Sequence, residues 1–362
     1  MATISMQPTP AEQDQRVRAR DWFASGVRRA YDSERHLQVF EKVVAPRPVS
    51  AETRWLTMLP GYPDGSYGYA KIDQHLGSTA SPRLYIEYLG QGDSDKPVGY
   101  RYSTMERADL VEAQWRAHRI RRTMVVTFDY SSLVLLELLR RQQEAADASD
   151  TTIDAVFIVN GGLFADAHSH PWSTTPMLKT PLGGLYMRVA QRAPRVFDRT
   201  LRNAGLFSRS YEVSEDEIAE LRDAMSRRNG AIFLHSGAGF VDEHRRNAAR
   251  WDLAALVREF HGSVAFHIAG SEEDPFEPRQ IVAARKRLAT FGVDICMFPG
   301  GHLTTAEHPR LLAETIRELA DKHGVGQATI SHNQEDEKCH PSTPLPSATA
   351  ASPPPVHNAP RR

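Results

Sequence analysis

Short, continuous apolar runs alternate with helical patterns through most of this 362-residue chain. Six of the runs have the length and composition of strands that are buried on both faces, as parallel strands are. Residues 131–148 are apolar nearly all round, which predicts a central helix packed on the sheet. Alternation of this kind is typical of an α/β fold. The six runs are RWLTMLPG, RLYIEYLGQG, TMVVTFD, IDAVFIVNGG, SVAFHIAG and VDICMFPGG.

Two other features define the organisation of the chain. The segments GVRRAYD and HLQVFEKVV are predicted to pair as antiparallel strands. The strand pattern stops between Leu163 and Ala248, where Ser214 and Glu217 have the spacing of a helix capping box. A helical insertion at this point suits a cap over a site at the strand ends. We therefore predict a flexible N-terminal arm (1–18), a first core segment (19–162), a helical cap (163–248), a second core segment (249–326) and a disordered Ser/Pro-rich tail (327–362).

The composition argues against several classes of protein. The chain is 41% hydrophobic with a formal net charge of -1, so it has no overall electrostatic footprint for nucleic acid or anionic membrane. Cys296 and Cys339 imply no disulfide framework.

His168 and His170 lack a neighbouring carboxylate cluster, so no metal site is predicted. Without a signal peptide or a membrane span, a cytoplasmic location is expected, and the oligomeric state is undefined.

Asp129 lies between an apolar strand and an apolar helix, and its carboxylate has two interpretations. An Asp in front of a helix is a good N-cap. A tight strand-to-helix turn can also be a nucleophile elbow, which needs small residues two positions before and after the nucleophile. Thr127 and Ser131 occupy those positions for Asp129. Ser131 itself does not fit as the nucleophile, because Leu133 would then fill a small-residue position.

A second acid and a histidine follow at the ends of later strands. The run SVAFHIA leads into GSEEDP, which contains Asp274, and the run VDICMFP leads into GGH, which contains His302. The order Asp129, Asp274, His302 is the nucleophile, acid, histidine order of α/β-hydrolases. We therefore predict that these residues form a catalytic triad. The plainer interpretations are a common Asp-Pro turn and an ordinary Gly-Gly-His loop.

These motifs resemble the α/β-hydrolase family, within it the epoxide hydrolase and haloalkane dehalogenase group, and most closely the mesoderm-specific-transcript-like proteins. The resemblance extends from about Trp22 to Asp321. The family usually has His-Gly where this chain has Pro60-Gly61, and His and Gly around the nucleophile where it has Phe128 and Ser131. The resemblance is carried by LPGYPDGSYGY, LGQGDSDKP, YSTMERADLVEA, TFDYSSLVLLELL, VNGGLF and GGHLTTAEHP.

The resemblance implies a hydrolase that needs no cofactor and acts on a small apolar organic substrate. Attack of an aspartate on saturated carbon gives a stable alkyl ester, which water activated by His302 then hydrolyses. The backbone N–H groups of Tyr62 and Tyr130 are expected to form the oxyanion hole. Tyr186 and Tyr211, in the predicted cap, are candidate acids for the oxygen of an opening epoxide.

An epoxide hydrolase-like enzyme is therefore the first expectation, and two alternatives remain open. Pro60, Phe128 and Ser131 motivate a catalytically weak or inactive binding or regulatory protein on the same scaffold. A haloalkane dehalogenase is the second alternative. Tyr62 and Tyr130 weigh against it, because such enzymes often place Asn and Trp at these two positions.

Overall fold

An eight-stranded, mostly parallel sheet forms the centre of the described part of the computed structural model. The structure describes residues 16–32, 36–45, 49–50, 52–77, 81–145, 149–172, 175–230, 238–276 and 278–326. The strands are β1 (Val27–Asp32), β2 (Leu37–Val44), β3 (Arg54–Leu59), β4 (Arg83–Ile86), β5 (Arg122–Phe128), β6 (Thr152–Val159), β7 (Ala265–Ser271) and β8 (Asp294–Phe298).

The sheet topology confirms the α/β fold. The strand order is β1-β2-β4-β3-β5-β6-β7-β8; β1 and β2 pair antiparallel as predicted, and β3 to β8 run parallel. From β3 the chain moves outward to β4 and then returns to β5 on the other side of β3. Such a reversal opens a crevice at the carboxyl ends of the strands, where ligands bind in open α/β sheets. The loops that follow β3 and β5 border this crevice.

Helices pack on the sheet and on one another. The predicted central helix is buried from Ser131 through Leu139 and contacts β5 and β6. The helices are α1 (Ala19–Ala24), α2 (Ala70–Leu76), α3 (Thr104–Ala117), α4 (Ser131–Ala145), α5 (Thr175–Leu178), α6 (Pro181–Arg192), α7 (Pro194–Asn203), α8 (Glu215–Ser226), α9 (Phe240–Arg246), α10 (Leu253–Glu259), α11 (Pro278–Arg287), α12 (Thr304–Glu307) and α13 (Pro309–Lys322).

The strand that precedes Asp129 is anchored by burial on both faces. Strand β5 is buried from Thr123 to Phe128, and Val125 and Val126 are at most 1% exposed. A fully buried aliphatic side chain of this size stabilises the fold by roughly 1.5–3 kcal/mol. The turn at Asp129 therefore starts from a rigid support, which a precisely placed side chain requires.

The predicted cap contains helices α5 to α9, and no strand occurs among its described residues. The capping box of Ser214 and Glu217 is confirmed at the start of α8. The boundaries 163–248 of the cap remain a prediction. Residues 1–15 of the predicted arm and the whole predicted tail, 327–362, lie outside the described residues. Among the helices that the structure describes, none combines the length and apolar character that crossing a bilayer requires.

Candidate active site

Four loops at the carboxyl ends of parallel strands carry predicted site residues. Tyr62 follows β3, Asp129 follows β5, Asp274 follows β7 and His302 follows β8. Because parallel strands end at the same edge of the sheet, these distant segments of sequence meet in space. All four residues are buried. The fold therefore brings the predicted triad and one predicted oxyanion-hole residue to a single place.

Asp129 lies on the turn between β5 and α4 with a φ of 52°. This left-handed conformation is uncommon outside glycine, asparagine and aspartate, and such backbone positions cluster at functional sites. The carboxylate does not cap α4: Asp129 Oδ2 accepts the Tyr62 backbone N–H at 2.9 Å. The N-cap interpretation is therefore wrong, and the side chain faces the crevice.

The residues that depart from the family pattern are accommodated around this turn. Ser131, fully buried, donates its hydroxyl to the Pro60 carbonyl and has its Oγ 2.8 Å from the Tyr88 hydroxyl. A Cβ at Gly61 would lie 2.4 Å from Phe128 Cδ1, so only glycine fits beside that ring. The hydroxyl of Ser131 is thus satisfied and the Phe128 ring has room, which leaves the turn intact.

The three predicted triad residues form a continuous polar chain. His302 Nε2 lies 3.5 Å from Asp129 Oδ1, and His302 Nδ1 lies 3.1 Å from Asp274 Oδ2. The Phe276 N–H donates to Asp274 Oδ1 at 2.8 Å, and the Asn160 side chain donates to the His302 carbonyl at 2.8 Å. Each imidazole nitrogen therefore faces one carboxylate, which orients the ring with Nε2 toward Asp129.

Burial and mutual charge shift the pKa values of this group. Burial raises the pKa of Asp129 to about 6, although the positive charge of His302 and the Tyr62 N–H oppose the rise. Burial lowers the pKa of His302, but the charge and hydrogen bond of Asp274 and the charge of Asp129 outweigh it and raise that pKa to about 9. At neutral pH the resting pair is an aspartate and an imidazolium. Perturbed pKa values of this kind cluster at functional sites.

The two predicted oxyanion-hole residues differ in what they contact. The Tyr62 N–H is already bonded to the Asp129 carboxylate. The Tyr130 N–H precedes the 15-residue helix α4 and has no hydrogen-bond acceptor among the described residues. The Tyr130 side chain turns away from Asp129 and bonds to Arg107. The positive end of the α4 dipole adds to the attraction for negative charge at this turn.

An apolar cavity lies against Asp129 and His302, and its space measures about 770 Å³ when the part open to solvent is included. The side chains that line it from α5, α6 and α7 are mostly apolar, and no Trp, Asn or Gln occurs among its described lining residues. The cavity therefore suits a small apolar molecule. Its lining includes Met177, Leu178, Met187, Phe197 and Leu201.

The two predicted cap tyrosines lie in different places. Tyr186, on α6, lines the cavity, and its hydroxyl is hydrogen-bonded to Thr200. Tyr211 donates its hydroxyl to Glu217 at 2.5 Å and stacks on Phe207. Tyr211 is not among the described residues that line the cavity. Its prediction as a leaving-group donor is therefore corrected, because Glu217 holds its hydroxyl elsewhere, and Tyr186 is the remaining candidate.

Two features beside the site were missed by sequence reasoning, the buried carboxyl of Asp64 and the contact of His168 with His244. Burial, reinforced by the charge of Asp129, raises the pKa of Asp64 to about 7, and Asp64 in turn raises the pKa of His302. The only signal for Asp64 was its position in PGYPDG.

His168 Nδ1 lies 2.8 Å from His244 Nδ1, and burial lowers the pKa of His168 to about 4. Within the described ranges no three potential ligands come together around a metal position.

Solved structures with this architecture include two enzymes of the predicted group. The haloalkane dehalogenase DatA from Agrobacterium tumefaciens is 15% identical, with a TM-score of 0.62 over 82% of this chain and 96% of DatA. The epoxide hydrolase CorEH is 15% identical, with a TM-score of 0.55 over 82% of this chain and 98% of CorEH. At such low identity the similarity shows the shared fold alone.

Sequence comparisons extend the similarity to curated proteins. The chain is 28% identical over 298 residues to a Mycobacterium tuberculosis protein named as the hydrolase LipZ, covering 81% of this chain and 97% of LipZ. It is 27% identical over 225 residues to the bovine (Bos taurus) mesoderm-specific transcript homolog protein, covering 62% of this chain. That match spans 65% of the bovine protein, which is less than two thirds of its length.

The sequence model of the alpha/beta hydrolase family matches residues 58–315. This range begins in β3 and ends in α13, so it includes every strand-end loop of the candidate site. The resemblance predicted from the motifs is confirmed. The chain belongs to the alpha/beta hydrolase family.

Proposed function

We propose that this chain is a cofactor-independent hydrolase that opens an epoxide or a similar alkyl electrophile through a covalent ester at Asp129. The supporting observation is the placement of the Asp129 carboxylate: one oxygen accepts the Tyr62 N–H and the other faces His302 at 3.5 Å, against an apolar cavity. Attack on an ester carbonyl would give a high-energy anhydride, whereas attack on saturated carbon gives a stable ester.

In the first step Asp129 Oδ1, the oxygen not held by Tyr62, bonds to an epoxide carbon. The carbon–oxygen bond of the ring breaks, and the oxygen that leaves takes a proton from the Tyr186 hydroxyl. The strained turn and the buried strand behind it hold the carboxylate in place, which lowers the entropic cost of reaching the attack geometry.

In the second step water attacks the carbonyl carbon of the Asp129 ester. Ester formation removes the negative charge that faced His302, which lowers the pKa of that imidazole. Its proton passes through solvent to the Tyr186 phenolate that the first step left, and the neutral ring becomes a base. His302 Nε2 then takes a proton from the water while Asp274 stabilises the imidazolium. The N–H groups of Tyr62 and Tyr130 stabilise the oxyanion until it collapses. The ester bond then breaks, the leaving alkoxide takes the proton from the His302 imidazolium, and the diol leaves.

The activity should depend on the ionisation of Asp129. As the pH falls through about 6, this carboxyl takes up a proton and loses its nucleophilicity, so kcat/KM should fall about tenfold per pH unit. The measurement is kcat/KM against pH, with circular dichroism at each pH as the control for folding. A rate that stays constant down to the ordinary aspartate range, about pH 4, would contradict this assignment.

Tyr186 should assist epoxides in particular. Tyr186→Phe is expected to slow the opening of an epoxide by about 10²-fold, because the alkoxide loses its proton donor. Displacement of bromide needs no proton and should change little. Tyr211→Phe is the matched control, since that hydroxyl bonds to Glu217. Equal losses in the two variants, or equal losses for epoxide and bromoalkane, would remove Tyr186 from the mechanism.

A single turnover in heavy-oxygen water tests the proposed pathway. With enzyme in excess over an epoxide, the diol should carry no heavy oxygen, because its new oxygen comes from Asp129. The peptide that contains Asp129 should gain the label instead. Label in the diol would mean that water attacks the epoxide directly, and conversion of none of a panel of epoxides would favour the binding-protein alternative.

The cavity also bears on the dehalogenase alternative. A departing halide needs N–H donors near the nucleophile, and the described cavity lining contains no Trp, Asn or Gln side chain. Apart from Asp129 and His302, the polar side chains that line the cavity are the hydroxyl and imidazole groups of Tyr62, His170, Tyr186 and Thr200. Hydroxyl donors favour an alkoxide over a halide as the leaving group, so the epoxide is the preferred substrate class.

A further inference from the structure

We infer that the outer face of the cap, formed by the solvent side of α6 and α7, binds an anionic lipid surface. On α6 the buried residues are Gly183, Gly184, Met187 and Ala190, which face the protein. The opposite side, where polar residues are usual, carries Leu182, Leu185 and Val189, with exposed fractions of 74%, 58% and 51%. Val196 on α7 is 40% exposed. This inference does not depend on the proposed reaction.

Positive charge accompanies these exposed apolar side chains. Residues 181–203 contain five arginines and one acidic residue, Asp198, in a chain whose net charge is -1. Asp198 pairs with Arg222 of α8, which compensates its charge within the cap. Arg188, Arg192, Arg195 and Arg199 are exposed and form no ion pair within the described residues. The net charge of the whole chain is therefore close to zero although this part of the surface is cationic.

The apolar and cationic residues share one side of the helix. At 100° per residue, Leu182, Leu185 and Val189 form a stripe, and Arg188 and Arg192 lie along one edge of it. Aliphatic residues flanked by arginines are typical of helices that lie in the membrane interface. The aliphatic groups enter the acyl boundary while the arginines contact anionic headgroups, each cation contributing about fivefold to binding.

Two other occupants fit this surface less well. A symmetric dimer would place the same patch of each copy against the other, so the four exposed arginines of one copy would face the same four of the other. Single-stranded nucleic acid is bound largely by stacking on aromatic side chains, and the exposed stripe is aliphatic. A lipid surface also suits the site beneath, because α6 and α7 line the apolar cavity on their inner side.

Cosedimentation of the full chain with vesicles tests the inference. The protein should bind vesicles of phosphatidylglycerol and phosphatidylcholine in equal parts, should not bind phosphatidylcholine alone, and should bind more weakly as salt increases. The Arg188→Glu/Arg192→Glu variant should lose at least about tenfold in partitioning, because two attractive charges become repulsive. Leu185→Ser/Val189→Ser should lose a similar amount, since its aliphatic anchor is removed.

Matched controls change the same residue types elsewhere on the surface. Arg101→Glu/Arg258→Glu and Val98→Ser/Val282→Ser alter exposed residues outside the cap and should bind as the unmodified protein does. An equal loss of vesicle binding in the control variants would overturn the inference. Failure of the unmodified protein to bind anionic vesicles would also overturn it. A dimer in analytical ultracentrifugation that Leu185→Ser/Val189→Ser dissociates would also overturn it, by assigning the face to a second copy.

Discussion

Replacement of Asp129 by alanine is expected to lower kcat/KM for epoxide opening by about 10⁴- to 10⁶-fold, the usual range for loss of a covalent nucleophile. The reason is that no other described carboxylate lies both against the cavity and opposite His302 Nε2. The measurement is diol formation under single-turnover and steady-state conditions. Activity within tenfold of the unmodified protein would exclude the covalent mechanism.

Two further variants at this position separate chemistry from folding. Asp129→Glu keeps the charge but moves the oxygens by one methylene, so it should be nearly as inactive as Asp129→Ala. Asp129→Gly should be more stable than Asp129→Ala by about 1 kcal/mol in the free energy of unfolding, because φ is 52° at this turn. Urea unfolding of both variants would check that the loss of activity does not reflect a loss of structure.

Replacement of His302 by glutamine is expected to trap the alkyl-enzyme ester. Loss of the base should slow ester hydrolysis by about 10²–10⁴-fold and leave the carboxylate able to attack. Because the charge of His302 lowers the pKa of Asp129, the variant will ionise Asp129 at higher pH, so trapping should be done under mildly alkaline conditions. Intact-protein mass and peptide mapping after incubation with epoxides and bromoalkanes would locate the adduct.

His308→Gln is the matched control for this experiment, since His308 follows α12 and is not among the described cavity-lining residues. It should turn over and accumulate no ester. An adduct on Asp129 of the His302 variant identifies the nucleophile, and the class of compound that formed it distinguishes epoxide hydrolase from dehalogenase chemistry. Folded variant protein that gains no adduct from any compound would favour the binding-protein alternative.

The order of the fold and the strand-end positions of the three predicted triad residues could be predicted from sequence because both depend on local patterns. A continuous apolar run predicts a buried strand, and the end of that run marks the edge of the sheet. Asp129, Asp274 and His302 each follow such a run. Parallel strands necessarily end at one edge, so three local observations were enough to predict that these residues meet.

Side-chain positions in the predicted cap were less predictable, because the direction of a side chain there depends on how helices pack on one another. Tyr186 and Tyr211 were equivalent candidates in sequence. In the folded chain one lines the cavity and the other bonds to Glu217. The cationic, aliphatic face of α6 could not be predicted either. Whole-chain composition averages the charge and does not show which side of a helix is exposed to solvent.

The sequence by itself determined the α/β architecture, the antiparallel start of the sheet and the residues at the strand ends, because hydrophobic periodicity and turn chemistry act over a few residues. Only the tertiary structure decided that Asp129 faces His302 instead of capping α4, that Ser131 fits the turn, and that Asp64 lies beside the pair. It also decided the pKa values of Asp129 and His302. These properties depend on distances, burial and charge between segments that are far apart in the chain, and such quantities exist only once the chain has folded.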